Sequence, residues 1–318
     1  MYDVVTVGSA VVDNFVYTGL PELKKKFIAY PIGSKILIKD LKFFIGGGGT
    51  NTAVSFSRLG LRVAYLGKVG GEGAKRILDL LRKEKIDFVG AQSKEESGYS
   101  IILDSKEHNR TVLTYKGVND DLKFSEVNLR KLKTKWFYFS SMLGESFKTQ
   151  VRLAKFAKRN NIKICYNPSA YQIRKNKIGT KALIRKVDVL VFNKEEAGLL
   201  VGKGGVKNLL KKVYKIGPRI VVITDGRNGS CAYDGHYVYY LKTHDIKVEE
   251  RTGAGDAFAS TFLAGLIKGK DVEFSMRLAL INAESVLGCI GAKNELLSWR
   301  ELLNKFKGDS IRIKKWLD

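Results

Sequence analysis

Thr252-Gly253-Ala254-Gly255-Asp256-Ala257-Phe258, near the C-terminal end of a chain of 318 residues, runs a glycine turn straight into a helical pattern. Phe258, Phe262 and Leu266 recur four apart, with Ala259, Leu263 and Ala264 among them, so an apolar helix face starts where the glycines end. Free amides and the positive end of the helix dipole converge at such a start, and they attract anions, phosphate above all. Asp256 is the odd residue there, because a carboxylate ionised at neutral pH is costly beside an anion unless it acts on one. It could accept the proton of a hydroxyl that attacks a phosphate. It could equally cap the first helical turn, and the stretch alone does not choose.

A second glycine cluster, Gly46-Gly47-Gly48-Gly49-Thr50-Asn51-Thr52-Ala53, runs into Val54, Phe56 and Leu59 and stops at Gly60, the pattern of a short amphipathic helix. So many glycines let the backbone approach a ligand, and Asn51 offers a donor and an acceptor suited to a polyhydroxyl molecule. A flexible linker is the alternative, but a linker does not run into an apolar helix.

Around these two stretches the order is regular. The first strand pattern ends near Gly8-Ser9-Ala10, and Asp13 follows just past it, either on the ligand side of a parallel sheet or capping a turn. Ile36–Ile38 and Phe43–Ile45 read as extended. From Val63 strands alternate with helices over Ala74–Lys83, Phe147–Arg159 and up to Arg185, which predicts parallel strands with helices on both faces. Tyr99–Leu103 and Thr111–Tyr115, flanking a turn with Asp104 and Asn109, read as a β-hairpin in a separate, covering layer. Asn193 and Glu196 share a helix face at a strand end and could orient magnesium-bound water near phosphates, with N-capping by Asn193 the alternative. Thr224-Asp225-Gly226, with Gly229 close behind, ends an apolar strand where small residues let a nucleotide approach, or simply a tight turn.

Composition is that of a globular chain, 44% hydrophobic and 28% charged. The net charge of +24, from 56 Lys+Arg against 32 Asp+Glu, raises nucleic acid as a partner. The basic residues are spread out, however, in runs no longer than Lys24-Lys25-Lys26, so a solvated basic surface is expected instead, one that also draws anionic substrates. Cys165, Cys231 and Cys289 are too far apart for a zinc site and odd in number for a disulfide framework. His108, His236 and His244 lack metal spacing and read as surface or loop residues. The chain opens on a strand pattern without room for a signal peptide, and no apolar run reaches the roughly 18 residues of a membrane span, so a soluble cytoplasmic protein is expected. Walker A and Rossmann glycine patterns are both absent, which leaves phosphate chemistry to another loop.

Together these pieces resemble the ribokinase-like, or PfkB, carbohydrate kinase family over nearly the whole chain. Gly46–Gly60 and Glu250–Leu266 look like its two signatures, in the right order, with Tyr115–Asn119, Asn193–Glu196 and Thr224–Gly229 between them. The resemblance implies a three-layer αβα sandwich with a mostly parallel central sheet and a small β-strand lid. It implies one kinase domain over residues 1–318, with lid segments near 12–19, 34–45 and 97–118. It makes Asp256 the base on the acceptor hydroxyl and Gly253, Ala254 and Gly255 the anion hole. Asp13, Gly47, Gly48 and Asn51 would hold the acceptor. Asn193, Glu196, Thr224, Gly226, Gly229, Asn282 and Arg251 would handle ATP, with Mg2+ held by Glu196 through water and room for a monovalent cation. Glu250 and Arg251 stand where the family has Asp and then Thr or Pro.

The expected activity is therefore ATP-dependent phosphorylation of a hydroxyl group on a sugar or sugar-like small molecule. A nucleoside kinase of the same fold is the rival within the family, and a catalytically silent ligand sensor is the rival outside it. Nucleic acid and membrane are not the expected partners; a monomer, or a homodimer through the lid, is.

Overall fold

Alternation along the strands sets up two cores. Val4, Tyr65, Trp136 and Tyr138 pack into one buried cluster, while their chain neighbours Val5, Ala64, Leu66, Phe137 and Phe139 pack into another. Because successive strand side chains point to opposite faces, these strands belong to a sheet covered on both sides. The computed structural model, which describes residues 1–20, 24, 27–106, 110–246, 248, 252–288 and 291–317, shows that sheet.

In chain order the elements are β1 (Tyr2–Val7), β2 (Val11–Tyr17), β3 (Asp40–Gly46), α1 (Gly48–Arg58), β4 (Val63–Leu66), β5 (Lys68–Gly70), α2 (Gly71–Lys83), β6 (Asp87–Phe88), β7 (Ala91–Ser93), β8 (Gly98–Asp104) and β9 (Arg110–Tyr115). Then come β10 (Thr134–Ser140), α3 (Gly144–Arg159), β11 (Lys163–Asn167), α4 (Ala170–Lys175), α5 (Lys177–Ile184), β12 (Val189–Asn193), α6 (Lys194–Val201), α7 (Val206–Tyr214), β13 (Ile220–Thr224), β14 (Ser230–Tyr233), β15 (Tyr237–Leu241), α8 (Ala254–Ile267), α9 (Val272–Leu287), α10 (Trp299–Gly308) and β16 (Lys314–Leu317).

Among the described residues, the main sheet has 10 strands in the order β16-β15-β14-β13-β12-β11-β10-β1-β4-β6. From β6 to β13 the pairings are parallel, as the βα alternation predicts. The edge from β14 to β16 is antiparallel, which the alternation does not predict: short turns join β13 to β14 and β14 to β15, and β16 returns after α8, α9 and α10 to pair with β15. Residues of α1, α8 and α9 fill one core, and residues of α3, α5, α6 and α7 fill the other. The result is a three-layer α/β sandwich, as the resemblance implies.

A second sheet, β3-β2-β8-β9, stands apart and leaves Phe43, Tyr99, Val112, Leu113 and Tyr115 exposed. Its β8–β9 pair is the expected hairpin; Asn109 of the connecting turn lies outside the described residues. Three local expectations change. Residues 36–38 form no strand, Asp13 lies inside β2 rather than in a turn, and the helix expected to reach Arg185 is two helices. Asn176 divides those two, its side chain accepting from Gly179 N to start α5. Among the described residues, no helix is long and apolar enough to cross a membrane.

Candidate active site

The two glycine stretches of the sequence become the N-termini of α1 and α8, and the fold sets them side by side. Gly47 begins α1 at φ 94, and a Cβ there would lie 2.5 Å from the Ser9 carbonyl oxygen, so only glycine fits. Thr50 and Thr52 donate their hydroxyls back to the carbonyls of Gly46 and Gly48, at 2.6 and 2.7 Å, and tighten the first turn. Gly253 begins α8 at φ 86, where a Cβ would meet that of Ala292 at 2.4 Å. Gly255 is different: among the described residues, nothing lies within 4 Å of where its Cβ would be, so its Cα faces open space. The helices are tied by Ser260 Oγ, which donates to Ser55 Oγ at 2.7 Å.

Asp256 occupies the first turn of α8 without capping it, since α8 has no side-chain cap. The capping alternative therefore falls away. Its Oδ2 accepts from Asn51 Nδ2 at 2.7 Å, and its Oδ1 would lie 3.6 Å from a Cβ on Gly48. Burial pushes the Asp256 carboxyl up, while the Asn51 bond and the charge of Lys293 hold it down.

Two adjoining cavities open on this corner. The larger, of about 580 Å³, is lined by Thr224, Gly226, Gly229, Ser230, Ala254, Gly255, Phe258, Leu280, Ala283 and Leu287 among others. The smaller, of about 240 Å³, is lined by Asn167, Asn193, Glu196, Thr224, Gly253, Gly255 and Asp256 with Val191 and Phe192. Thr224 and Gly255 belong to both. One polar pocket around Asp256 thus continues into a larger, more apolar one of a size suited to a nucleotide.

Glu196 and Asn193 form a reciprocal capping box. Asn193 Oδ1 accepts from Glu196 N, and Glu196 Oε2 accepts from Asn193 N, both at 2.8 Å. Glu196 Oε1 accepts from Ala170 N at 3.1 Å, so one carboxylate joins the starts of α4 and α6. Burial pushes its carboxyl up to about 7 against the pull of those amides, and the charges of Glu195 and Asp256 push the same way. The capping alternative is thus realised, on residues that still line the smaller cavity. Among the described residues, no group of three or more His, Cys, Asp or Glu could hold a metal. The donor set accordingly suits a magnesium ion that brings its own phosphate and water ligands, and does not suit a protein-caged metal.

Asn282 is one of the residues expected to handle ATP. Its side chain is wholly buried, donating to Thr261 Oγ1 at 2.7 Å and accepting from Leu297 N at 3.0 Å, so it braces α8 against α9 and lines neither cavity. Arg251 and Glu250 lie outside the described residues. Asp13 is half-buried in β2, with its carboxylate against Gly46. His244 is no simple surface residue: its ring bridges Glu284 at 2.6 Å and Asp309 at 3.2 Å, on the wall of the larger cavity. Lys293 went unnoticed in the sequence, because Gly291-Ala292-Lys293-Asn294 carries no periodic or motif signal. Asn119 is the one buried polar residue of Tyr115–Asn119, and its amide makes two bonds of 2.9 Å to the backbone of Ala10.

Comparisons with known proteins bear on the family and the fold. A family model described as pfkB family carbohydrate kinase matches residues 2–299. The chain is 27% identical over 302 residues to an ATP-dependent 6-phosphofructokinase of Thermoanaerobacterium thermosaccharolyticum, covering 92% of this chain and 89% of that one. It is 25% identical over 300 residues to a cytidine kinase of Thermococcus kodakarensis, covering 90% and 96%. Among solved structures, a nucleoside kinase of Methanocaldococcus jannaschii superposes with a TM-score of 0.81 at 20% identity, covering 96% of this chain and 99% of that one.

Proposed function

This chain belongs to the pfkB family of carbohydrate kinases, and we propose that Asp256 is the base through which it moves a phosphoryl group from ATP to a hydroxyl of a sugar or sugar-like small molecule. The observation that carries this reading is the Asn51–Asp256 bond of 2.7 Å, which joins two glycine-led helix starts at a carboxylate on the wall of the smaller cavity.

ATP fits the larger cavity. Its apolar wall of Phe258, Leu280 and Leu287 suits a base, and the open Cα faces of Gly226 and Gly255 leave room for the rest of the nucleotide. The phosphates would then reach the start of α8, where the amides of Gly253, Ala254 and Gly255 stabilise negative charge. Magnesium would arrive on those phosphates and neutralise charge, with Asn193 and Glu196 ordering its water. The acceptor would lie on the α1 side of Asp256, held by Asp13, Gly47, Gly48 and Asn51. With Oδ2 engaged by Asn51, Oδ1 is the oxygen placed to take the hydroxyl proton. Catalysis on this scheme is mainly positioning and charge stabilisation.

We extend the proposal to the sheet of β2, β3, β8 and β9 as a cover over the acceptor, because water is itself a competing acceptor for the phosphoryl group. Its attachment to the site is direct, since β3 leads into Gly47 and β2 carries Asp13.

The test is release of ADP from ATP and Mg2+ against a panel of sugars, sugar phosphates, deoxy-keto acids, inositols and nucleosides. Acceptor-dependent ADP with one class supports the reading and names the substrate; a nucleoside alone would place the chain with its cytidine kinase relative. No release with any acceptor would overturn the assignment in favour of a silent sensor.

A further inference from the structure

Lys293, between α9 and α10, is 7% exposed, the only lysine among the buried polar and charged residues described. Its Nζ donates to the Ile45 carbonyl, to Asn51 Oδ1 at 2.5 Å and to Thr50 Oγ1 at 3.5 Å. An ammonium has three hydrogens, and here each has an acceptor. Its own carbonyl accepts from Arg58 Nη1 at 2.7 Å, and Arg58 also grips Glu84 at 2.6 and 3.1 Å. The segment is therefore tied to both ends of α1.

Burying a cation is costly unless charges and hydrogen bonds compensate it. Asp13 and Asp256 supply the opposite charge, and burial still pulls the Lys293 ammonium down to about 7. An apolar side chain would fill this space without that penalty, so the ammonium calls for a local reason.

Asn51 provides one. Its amide could sit in either of two orientations, with the oxygen or the nitrogen toward Asp256. The ammonium can only donate, so Lys293 holds the Asn51 oxygen, which turns the Asn51 NH2 onto Asp256 Oδ2. The flipped amide would set an oxygen against the carboxylate and a donor against the ammonium, and both contacts would be lost.

We propose that Lys293 is a positioning residue for phosphoryl transfer, which through Asn51 locks the orientation of the Asp256 carboxylate. The proposal rests on Asp256 being the base. Lys293 need not touch either substrate: it fixes which oxygen of Asp256 is occupied and which one remains for the acceptor.

The experiment is steady-state turnover of full-length Lys293→Met, Asn51→Leu and the double variant at saturating ATP and acceptor, with Asp256→Asn in parallel and thermal unfolding of each. Lys293→Met is expected to lower kcat by about 10²-fold while the KM for ATP stays within about twofold, because a misplaced base costs rate and not nucleotide binding. In the Asn51→Leu background, adding Lys293→Met should change kcat by less than about twofold, since the chain of contacts is already cut. Should Lys293→Met fail to fold, Lys293→Leu, which likewise removes the donor, takes its place in the same cycle. Wild-type kcat in Lys293→Met, or fully additive losses in the double variant, would overturn the proposal. If Asp256→Asn itself kept its turnover, the base assignment would fall instead, and the two failures are distinct.

Discussion

Asn51 and Asp256, 205 residues apart in the chain, meet through a bond of 2.7 Å from Nδ2 to Oδ2. That contact joins the start of α1 to the start of α8 and turns two unremarkable glycine-led helices into one corner. It also opposes the effect of burial on the carboxylate, because a donated hydrogen bond favours the ionised form that a base requires.

Asn51→Ala is therefore predicted to alter the pH dependence of catalysis. Burial raises the Asp256 carboxyl, and Asn51 and Lys293 oppose that rise. Removing Asn51 lets the pKa climb further, so the acidic limb of kcat/KM should move to higher pH. A pH–rate profile of the variant against wild type checks this; an unmoved limb, or one moved to lower pH, would refute it.

The two glycines flanking Ala254 should respond oppositely to alanine. Gly253→Ala meets both φ 86 and a contact of 2.4 Å with Ala292, so it should destabilise the fold by about 1–3 kcal/mol, read as a lower Tm. Gly255→Ala has open space and should leave Tm unchanged, yet raise the KM for ATP, because the methyl group would enter the cavity. Thermal unfolding and ATP titration of both variants decide the matter.

Asn282→Ala separates bracing from nucleotide contact. Its amide joins Thr261 to Leu297 in a fully buried position, so the loss should be about 1–3 kcal/mol of stability, with the KM for ATP essentially unchanged among folded molecules. A large rise in KM without loss of Tm would return Asn282 to the nucleotide.

Glu196 makes a prediction about stability and pH. Its folded pKa is raised from 4.5 to about 7, so between those values the folded chain holds a proton that the unfolded chain releases. The stability this group contributes is thus fully present below about 4.5 and gone above about 7. Glu196→Gln cannot ionise, so its Tm relative to wild type should rise as pH goes from 4.5 to above 7, whatever constant offset the substitution brings. A flat or falling difference would contradict the shift.

The legible parts of this molecule are those written contiguously. Gly46–Asn51 and Gly253–Asp256 each carry a turn, a helix start and a polar side chain within a few residues, and the strand–helix alternation between them predicts a parallel sheet with two covered faces. What escaped was set by distance and by direction. Lys293 meets Asn51 across 242 residues, and a single lysine after Gly-Ala has no pattern to reveal that. Asn282 lies on a helix buried against another helix, and helical periodicity does not say whether an inward polar residue faces a cavity or a hydroxyl such as that of Thr261. Asn193 and Glu196 were legible as a pair, yet their spacing fits a capping box as well as a phosphate site, and the fold uses it as the first while leaving both beside the second. The antiparallel edge of β14 to β16 was hidden because β14 and β15 are short and follow a glycine turn that reads equally as a ligand loop, while β16 reaches β15 only from beyond three helices.

The decisive measurement is the turnover of Asp256→Asn with whichever acceptor the panel identifies. The substitution keeps the shape of the side chain and removes its capacity to take a proton. Proton removal by Asp256 predicts a fall in kcat of about 10²-fold or more, with Tm and the KM for ATP close to wild type. Turnover near the wild-type rate in a folded Asp256→Asn protein would mean that this carboxylate is not the base.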